Sequence, residues 1–172
     1  HSALRFVEPG DTIVLDDSST VLCLARLLLE IKELTVVTNS LNVMDVLAKA
    51  DGLCLYGLGG ELNRDSRSFV GGETEDALAR LHVDKCFVST KGISVDTGLT
   101  DVHFHAARLH RKMLKASKKR ILLMDNSKFD VVCFADVAPL ESVHYVLTDA
   151  EPPESYYQEL GDLGVELIVT RG

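Results

Sequence analysis

The chain has 172 residues, 46% of them hydrophobic and 26% charged, enough to bury one sizeable core in a single domain spanning residues 1–172. Eighteen Lys and Arg stand against 26 Asp and Glu, a formal net charge of −8 that repels phosphate backbones unless the cations gather on one face, so nucleic-acid binding by this domain alone is disfavoured. The four cysteines, Cys23, Cys54, Cys86 and Cys133, form no CxxC pair and lie in apolar segments, which reads as buried, reduced thiols of a cytoplasmic protein. No apolar run approaches the roughly 20 residues of a membrane helix, and no signal peptide precedes the first strand.

In chain order, β-branched runs at 12–15, 34–37, 53–56, 86–88, 121–124, 145–147 and 167–169 end in small or polar residues. They predict strands covered on both faces, because they lack polar alternation. Amphipathic stretches at 20–30, 41–49, 75–81, 104–117 and 153–160 predict intervening helices. Together they describe an α/β domain, Rossmann-like and three-layered, with a mostly parallel sheet. In such sheets ligands bind beyond the carboxyl ends of the strands, so the loops there are the first candidates.

The first of these loops is Asp17, Ser18, Ser19 and Thr20, where open backbone N–H groups, hydroxyls and a helix N-terminus suit a phosphate. The alternative is that Ser18 or Ser19 only caps the helix. The second strand ends in Thr38, Asn39 and Ser40; Asn39 offers both a donor and an acceptor to a polyol, and again capping is the alternative. Gly59 and Gly60 fail the dinucleotide fingerprint, because Leu62 stands where its last glycine belongs, and fit a turn with close backbone approach. Arg64 and Arg67 follow, each either solvated or reaching an anion or a partner subunit.

Lys91 beside Gly92 offers an ammonium to a phosphate, and Asp96 and Thr100 offer contacts to hydroxyls. Asp125 and Lys128 end the fifth strand, either as ligand contacts or as a structural ion pair. His103, His105 and His110 invite a metal reading, but on one helix the second points away from the others and no acid accompanies them; they read as surface or pocket-lining residues. No metal site, cofactor site or catalytic residue is expected: there is no GxSxG elbow, no Walker A loop and no nucleophile with its base.

Taken in order, Gly10–Asp16 with Ser18-Ser19-Thr20, Leu34–Ser40, Gly59-Gly60-Glu61-Leu62, Val70-Gly71, Asp84-Lys85, Lys91-Gly92-Ile93, Gly98-Leu99-Thr100, Asp125–Phe129 and Thr148-Asp149 resemble the C-terminal sensor domain of the DeoR family of sugar-operon regulators. The resemblance covers nearly the whole chain. It implies a ribose-5-phosphate isomerase-like fold, a phosphorylated sugar or polyol as effector and a homo-oligomer. It also implies that operator DNA, usually released on induction, is held through an N-terminal winged helix-turn-helix absent from this chain. Two departures stand out. Ser19 occupies a position where the family's first loop usually has glycine, and Ala106–Arg111 lacks the family's Glu-Ala-x-x-Lys-Arg pattern. Two other readings stay open: a sugar-phosphate isomerase or deaminase on the same fold, lacking the isomerase's usual acidic cluster, and an interaction domain whose pocket binds nothing.

Overall fold

The computed structural model describes residues 1–170; the last two residues of the expected domain, 171 and 172, lie outside the described residues. In chain order the elements are β1 (Thr12–Leu15), α1 (Ser19–Leu27), β2 (Leu34–Thr38), α2 (Leu41–Leu47), β3 (Leu53–Gly57), β4 (Glu61–Asn63), β5 (Ser68–Val70), α3 (Gly72–Leu78), β6 (Val83–Val88), β7 (Gly92–Ser94), β8 (Gly98–Asp101), α4 (Phe104–Ala116), β9 (Ser117–Met124), β10 (Ala135–Ala138), β11 (Tyr145–Thr148), α5 (Ser155–Asp162) and β12 (Glu166–Val169).

Seven strands form one parallel sheet in the order β12-β11-β9-β6-β1-β2-β3. Each corresponds to one of the seven β-branched runs. Alternate side chains of these strands feed two apolar layers. Ile13, Leu15, Val36, Phe87 and Ile121 pack against Leu24 and Leu28 at the end of α1, Val43 of α2 and the N-terminal 3-10 turn. Val14, Val37, Cys86, Val88 and Leu122 pack on the opposite side, against Leu78 of α3, Met113 of α4 and Tyr156 of α5. Burying each such side chain contributes about 1.5–3 kcal/mol, the term that holds helices to both faces.

Two small antiparallel units lie outside the main sheet: β10-β8-β7 and the hairpin β4–β5. Gly92 and Gly98 let these strands approach their neighbours; a Cβ at Gly92 would collide with the carbonyl oxygen of Val131, and one at Gly98 with that of Ala138. Tyr156 ties the small sheet to α5. Its buried hydroxyl lies 3.1 Å from the Ile93 carbonyl oxygen and 2.9 Å from the Asp130 carboxylate, and it accepts the Asp130 N–H at 3.2 Å.

Two expectations need correcting. β3 is an edge strand with Cys54 and Tyr56 exposed on its open side, so it is not covered on both faces. Of the four free thiols Cys86 is buried and Cys133 intermediate, but Cys54 on that open strand and Cys23 on the outer face of α1 are exposed. Burial pushes the Cys86 thiol up to about 12, which keeps it protonated and unreactive.

Tyr156→Phe removes only the hydroxyl and leaves Asp130 and Ile93 short of a partner. We expect a loss of about 1–3 kcal/mol, read as a melting midpoint lowered by several degrees; an unchanged midpoint would show that this bond contributes nothing.

Candidate functional site

A cavity of about 520 Å³ opens at the carboxyl ends of the parallel strands. The β1–α1 loop brings Asp17, Ser18 and Ser19; the end of β2 brings Asn39; the segment after β6 brings Ser89 and Lys91. The β8–α4 junction adds Asp101, His103, His105 and His110, and the β4–β5 hairpin covers the opening with Asn63, Asp65 and Ser66.

The floor is organised by a buried charge cluster. Asp16, fully buried, accepts Ser18 N–H at 2.9 Å and Ser18 O–H at 2.6 Å on Oδ1. Its Oδ2 accepts Ser89 N–H at 2.6 Å and lies 3.2 Å from His110 Nε2. On its other side His110 Nδ1 lies 3.5 Å from Asp101 Oδ2, while Asp101 Oδ1 accepts Val102 N–H at 2.8 Å in the turn before α4. Burial by itself would strip the proton from His110, but the hydrogen bonds and charges of Asp101 and Asp16 outweigh it and raise its pKa from 6.5 to about 10. The result is a buried imidazolium joining the ends of β1, β6 and β8 to α4. Among the described residues no cation hydrogen-bonds Asp17: burial and the neighbouring Asp16 charge push its carboxyl up, against a 2.6 Å hydrogen bond from Ser68 and the charge of His110.

Lys91 lines the cavity directly, and Lys128 reaches the same wall with Nζ 2.9 Å from Ser89 Oγ. Desolvation and the charge of Lys91 lower the pKa of Lys128, as expected of two ammonium groups sharing a site.

Of the residues singled out from the sequence, Asp17, Ser18, Ser19, Asn39 and Lys91 meet at the cavity and Lys128 stands behind it. Ser18 and Ser40 also cap α1 and α2, accepting Val21 N–H at 3.2 Å and Val43 N–H at 3.3 Å. Asn39 spends its amide nitrogen on the Phe69 carbonyl at 3.0 Å, holding the hairpin, and its buried Oδ1 has no partner among the described residues. Other predicted contacts serve the scaffold. Thr38 accepts Ser40 N–H, Thr100 accepts Cys133 N–H, Gly60 sits at φ +141° against Thr74, Gly59 accepts Thr74 O–H through its carbonyl, and Gly92 packs on Val131. Thr20 faces a separate cleft of about 450 Å³ lined by Leu24, Leu27, Leu123 and Leu147.

Asp96 is exposed in the β7–β8 turn. Asp125 is tied to Ser127, at 2.9 Å to its N–H and 2.5 Å to its hydroxyl; among the described residues it forms no ion pair with Lys128. Arg67 is held by Asn42 at 2.8 Å and Asp45 at 3.0 Å. Asp16, Ser89 and Asp101 were missed as site residues, although Asp101 ends β8 three residues before α4. The acids that accompany His110 come from other strands, so no local spacing revealed them. Among the described residues no group of three or more His, Cys, Asp or Glu could hold a metal ion.

The family model of the DeoR C-terminal sensor domain matches residues 1–150. The chain belongs to that family. Curated relatives of this sensor domain include the HTH-type transcriptional repressor GlcR of Bacillus subtilis, 36% identical over 98% of this chain and 64% of the relative, and the putative aga operon transcriptional repressor of Escherichia coli O157:H7, 29% identical over 98% of this chain and 62% of the relative. The glycerol-3-phosphate regulon repressor of Escherichia coli K12 is 30% identical, over 92% of this chain and 63% of the relative. The sensor domain therefore spans less than two thirds of the length of each.

Among solved structures, a D-ribose-5-phosphate isomerase in complex with phospho-erythronic acid superposes with a TM-score of 0.53 at 18% identity, covering 74% of this chain and 50% of that one. The enzyme from Plasmodium falciparum gives 0.51 at 19%, covering 74% and 49%. The sensor domain thus shares the isomerase fold, the α/β class read from its strand pattern. No described helix is long and apolar enough to cross a membrane.

Because its folded pKa is raised, His110 stabilises the fold fully below pH 6.5, and that contribution fades as pH climbs toward about 10. We expect the melting midpoint of the wild-type domain to fall across this window more steeply than that of His110→Gln. Parallel curves would mean that the imidazole is not protonated in the folded state.

Proposed function

We propose that this sensor domain binds a phosphorylated sugar or polyol in the cavity and thereby controls operator binding by a helix-turn-helix segment of the full-length regulator, acting as a repressor of sugar use. The observation that carries the reading is the pairing of Lys91 and Lys128 around Ser89 at a cavity that Asn39 and Asp17 also line. Two ammonium groups and a hydroxyl suit a phosphate, because charge-assisted hydrogen bonds are about twice as strong as neutral ones. Carboxylates and an amide oxygen suit the hydroxyls of a polyol. The name of the glycerol-3-phosphate regulon repressor links one relative with a phosphorylated polyol.

Binding without chemistry is favoured over isomerase or deaminase activity by the state of His110. A general base works best with a pKa near the operating pH. Here the imidazole is enclosed between two carboxylates and raised to about 10, so it holds its proton near neutrality. No cofactor or metal is invoked. The same cluster supplies a route for the signal: a ligand pulling on the β1–α1 or β6–β7 loop pulls on His110 and so on α4, whose Arg111 grips the Asp136 and Val137 carbonyls at 2.7 and 2.9 Å.

Calorimetric titration with a panel of sugar and polyol phosphates and their unphosphorylated counterparts tests the proposal. A phosphorylated compound should bind selectively, and Lys91→Ala should weaken it by at least about tenfold, roughly 1.4 kcal/mol. Equal affinity for phosphorylated and unphosphorylated partners, or indifference to Lys91→Ala, would refute it; turnover of the bound compound would revive the enzyme reading.

A further inference from the structure

We propose that a second copy of this chain docks on the outer surface of the layer formed by α3, α4, β10 and α5, with the basic side of α4 against the acidic side of the partner's α5 and Phe134 near the centre. The proposal is independent of what the cavity binds.

Charge is segregated along the last part of the chain. Residues 102–124 carry seven of the 18 Lys and Arg and no Asp or Glu, whereas residues 129–170 carry nine Asp and Glu and no Lys or Arg. The fold places both stretches on one side of the main sheet. Leu109 and Met113 of α4, Ala135 and Val137 of β10, and Tyr156 and Leu160 of α5 enter the same apolar layer, so the outer sides of these elements share one face of the molecule.

On α4, Phe104, Arg108, Arg111, Lys112 and Lys115 line a groove of about 410 Å³, a stripe set by the helical repeat. Arg108 is paired with Glu75 of α3 at 2.8 Å and Arg111 holds backbone carbonyls, but among the described residues Lys112 and Lys115 have no hydrogen-bond or ion-pair partner. On α5, Glu159 and Asp162 are exposed and likewise unpaired among the described residues, with Tyr157 and Leu163 exposed beside them. Each pair is spaced i, i+3, about 4.5 Å along its helix, so the two ammonium groups match the two carboxylates in spacing as well as in sign.

β10 runs beside α4 and leads to β11, which pairs with β9 on the side of α5. Its Ala135 and Val137 point inward, and Phe134, 85% exposed, points out. Val132 is exposed two residues earlier, and the exposed Val102 and Phe104 follow Asp101, which pairs with Ala135. An apolar patch rimmed by charge is the anatomy of a protein interface.

The mixture of signs selects the occupant. A nucleic-acid duplex requires a face of one sign, and this face also presents Glu73 and Asp76 of α3, Asp136 of β10 and the acids of α5. A copy of this chain supplies both signs. α3 is the poorer match for the lysines, because its Glu75 is held by Arg108 and the exposed Arg80 follows it. α4 and α5 each lead back into a strand of the parallel sheet, so they run the same way. A two-fold axis along the strands and between these helices lays each α4 on the partner's α5 and brings the β10 strands, with Phe134, near the axis.

Sedimentation equilibrium of the chain at low and high salt tests this. The wild type should dimerise, and less tightly at high salt. Lys112→Glu with Lys115→Glu, or Glu159→Lys with Asp162→Lys, should each weaken dimerisation by at least about tenfold. An equimolar mixture of the two variants should associate again, because both helix contacts of the heterodimer join opposite charges. Phe134→Ser, at a position that lies in solvent in the monomer, should also weaken the dimer and gives a readout independent of the charges. A monomeric wild type, variants that associate like the wild type, or a mixture that stays monomeric overturns the proposal. Retention of a labelled DNA duplex that is lost in the lysine variant, with no dimer formed, overturns it as well and assigns the stripe to a phosphate backbone.

Discussion

A charged histidine buried beneath a cavity is the constraint from which the architecture of the site follows. His110 is 4% exposed, and an imidazolium so placed is costly unless anions surround it. Asp16 and Asp101 provide them, one from the end of β1 and one from the end of β8. Each carboxylate spends its remaining capacity on backbone N–H groups: Asp16 on Ser18 and Ser89, Asp101 on the first residues before α4. Three stretches that are distant in sequence, the end of β1, the end of β6 and β8 with α4, are thereby fixed at one point, and the cavity is the space left above it. A displaced neutral histidine would free the β1–α1 and β6–β7 loops together.

This arrangement also reconciles an acidic molecule with the anionic effector proposed for it. The net charge of −8 is summed over the whole molecule, whereas Lys91 and Lys128 would act on a bound phosphate at close range, where a local pair outweighs distant charges screened by salt. Lys128 is partly desolvated and donates to Ser89. Holding two ammonium groups near each other costs stability, and that strain is what a phosphate would relieve on binding.

The main sheet was legible in the sequence because its inner strands are buried on both faces and so written as continuous β-branched runs; all seven strands of the parallel sheet, the open edge strand β3 included, came from such runs. The three-residue strands β4, β5 and β7 were not, since Glu61-Leu62-Asn63 or Gly92-Ile93-Ser94 carry no periodicity to read. β9 starts at Ser117, four residues before its apolar run, because pairing with β6 extends the strand through Lys118, Lys119 and Arg120. In the site, strand ends followed by helices exposed Asp17, Ser18, Ser19, Asn39 and Lys91. The same rule also drew in Thr38, Ser40 and Thr100, whose hydroxyls turn inward to satisfy backbone groups. The cluster of His110 with its acids joins positions 16, 101 and 110, a link that only the folded chain makes.

Amide chemical-shift mapping by NMR with inorganic phosphate and then with a sugar phosphate tests the central claim most directly. The account predicts that phosphate perturbs Ser89, Thr90, Lys91 and Lys128, and that the sugar phosphate extends the perturbation to Asp17, Ser18 and Asn39. Perturbations confined to the apolar cleft around Leu24, Leu27 and Leu147, or none at these loops at saturating ligand, would contradict it.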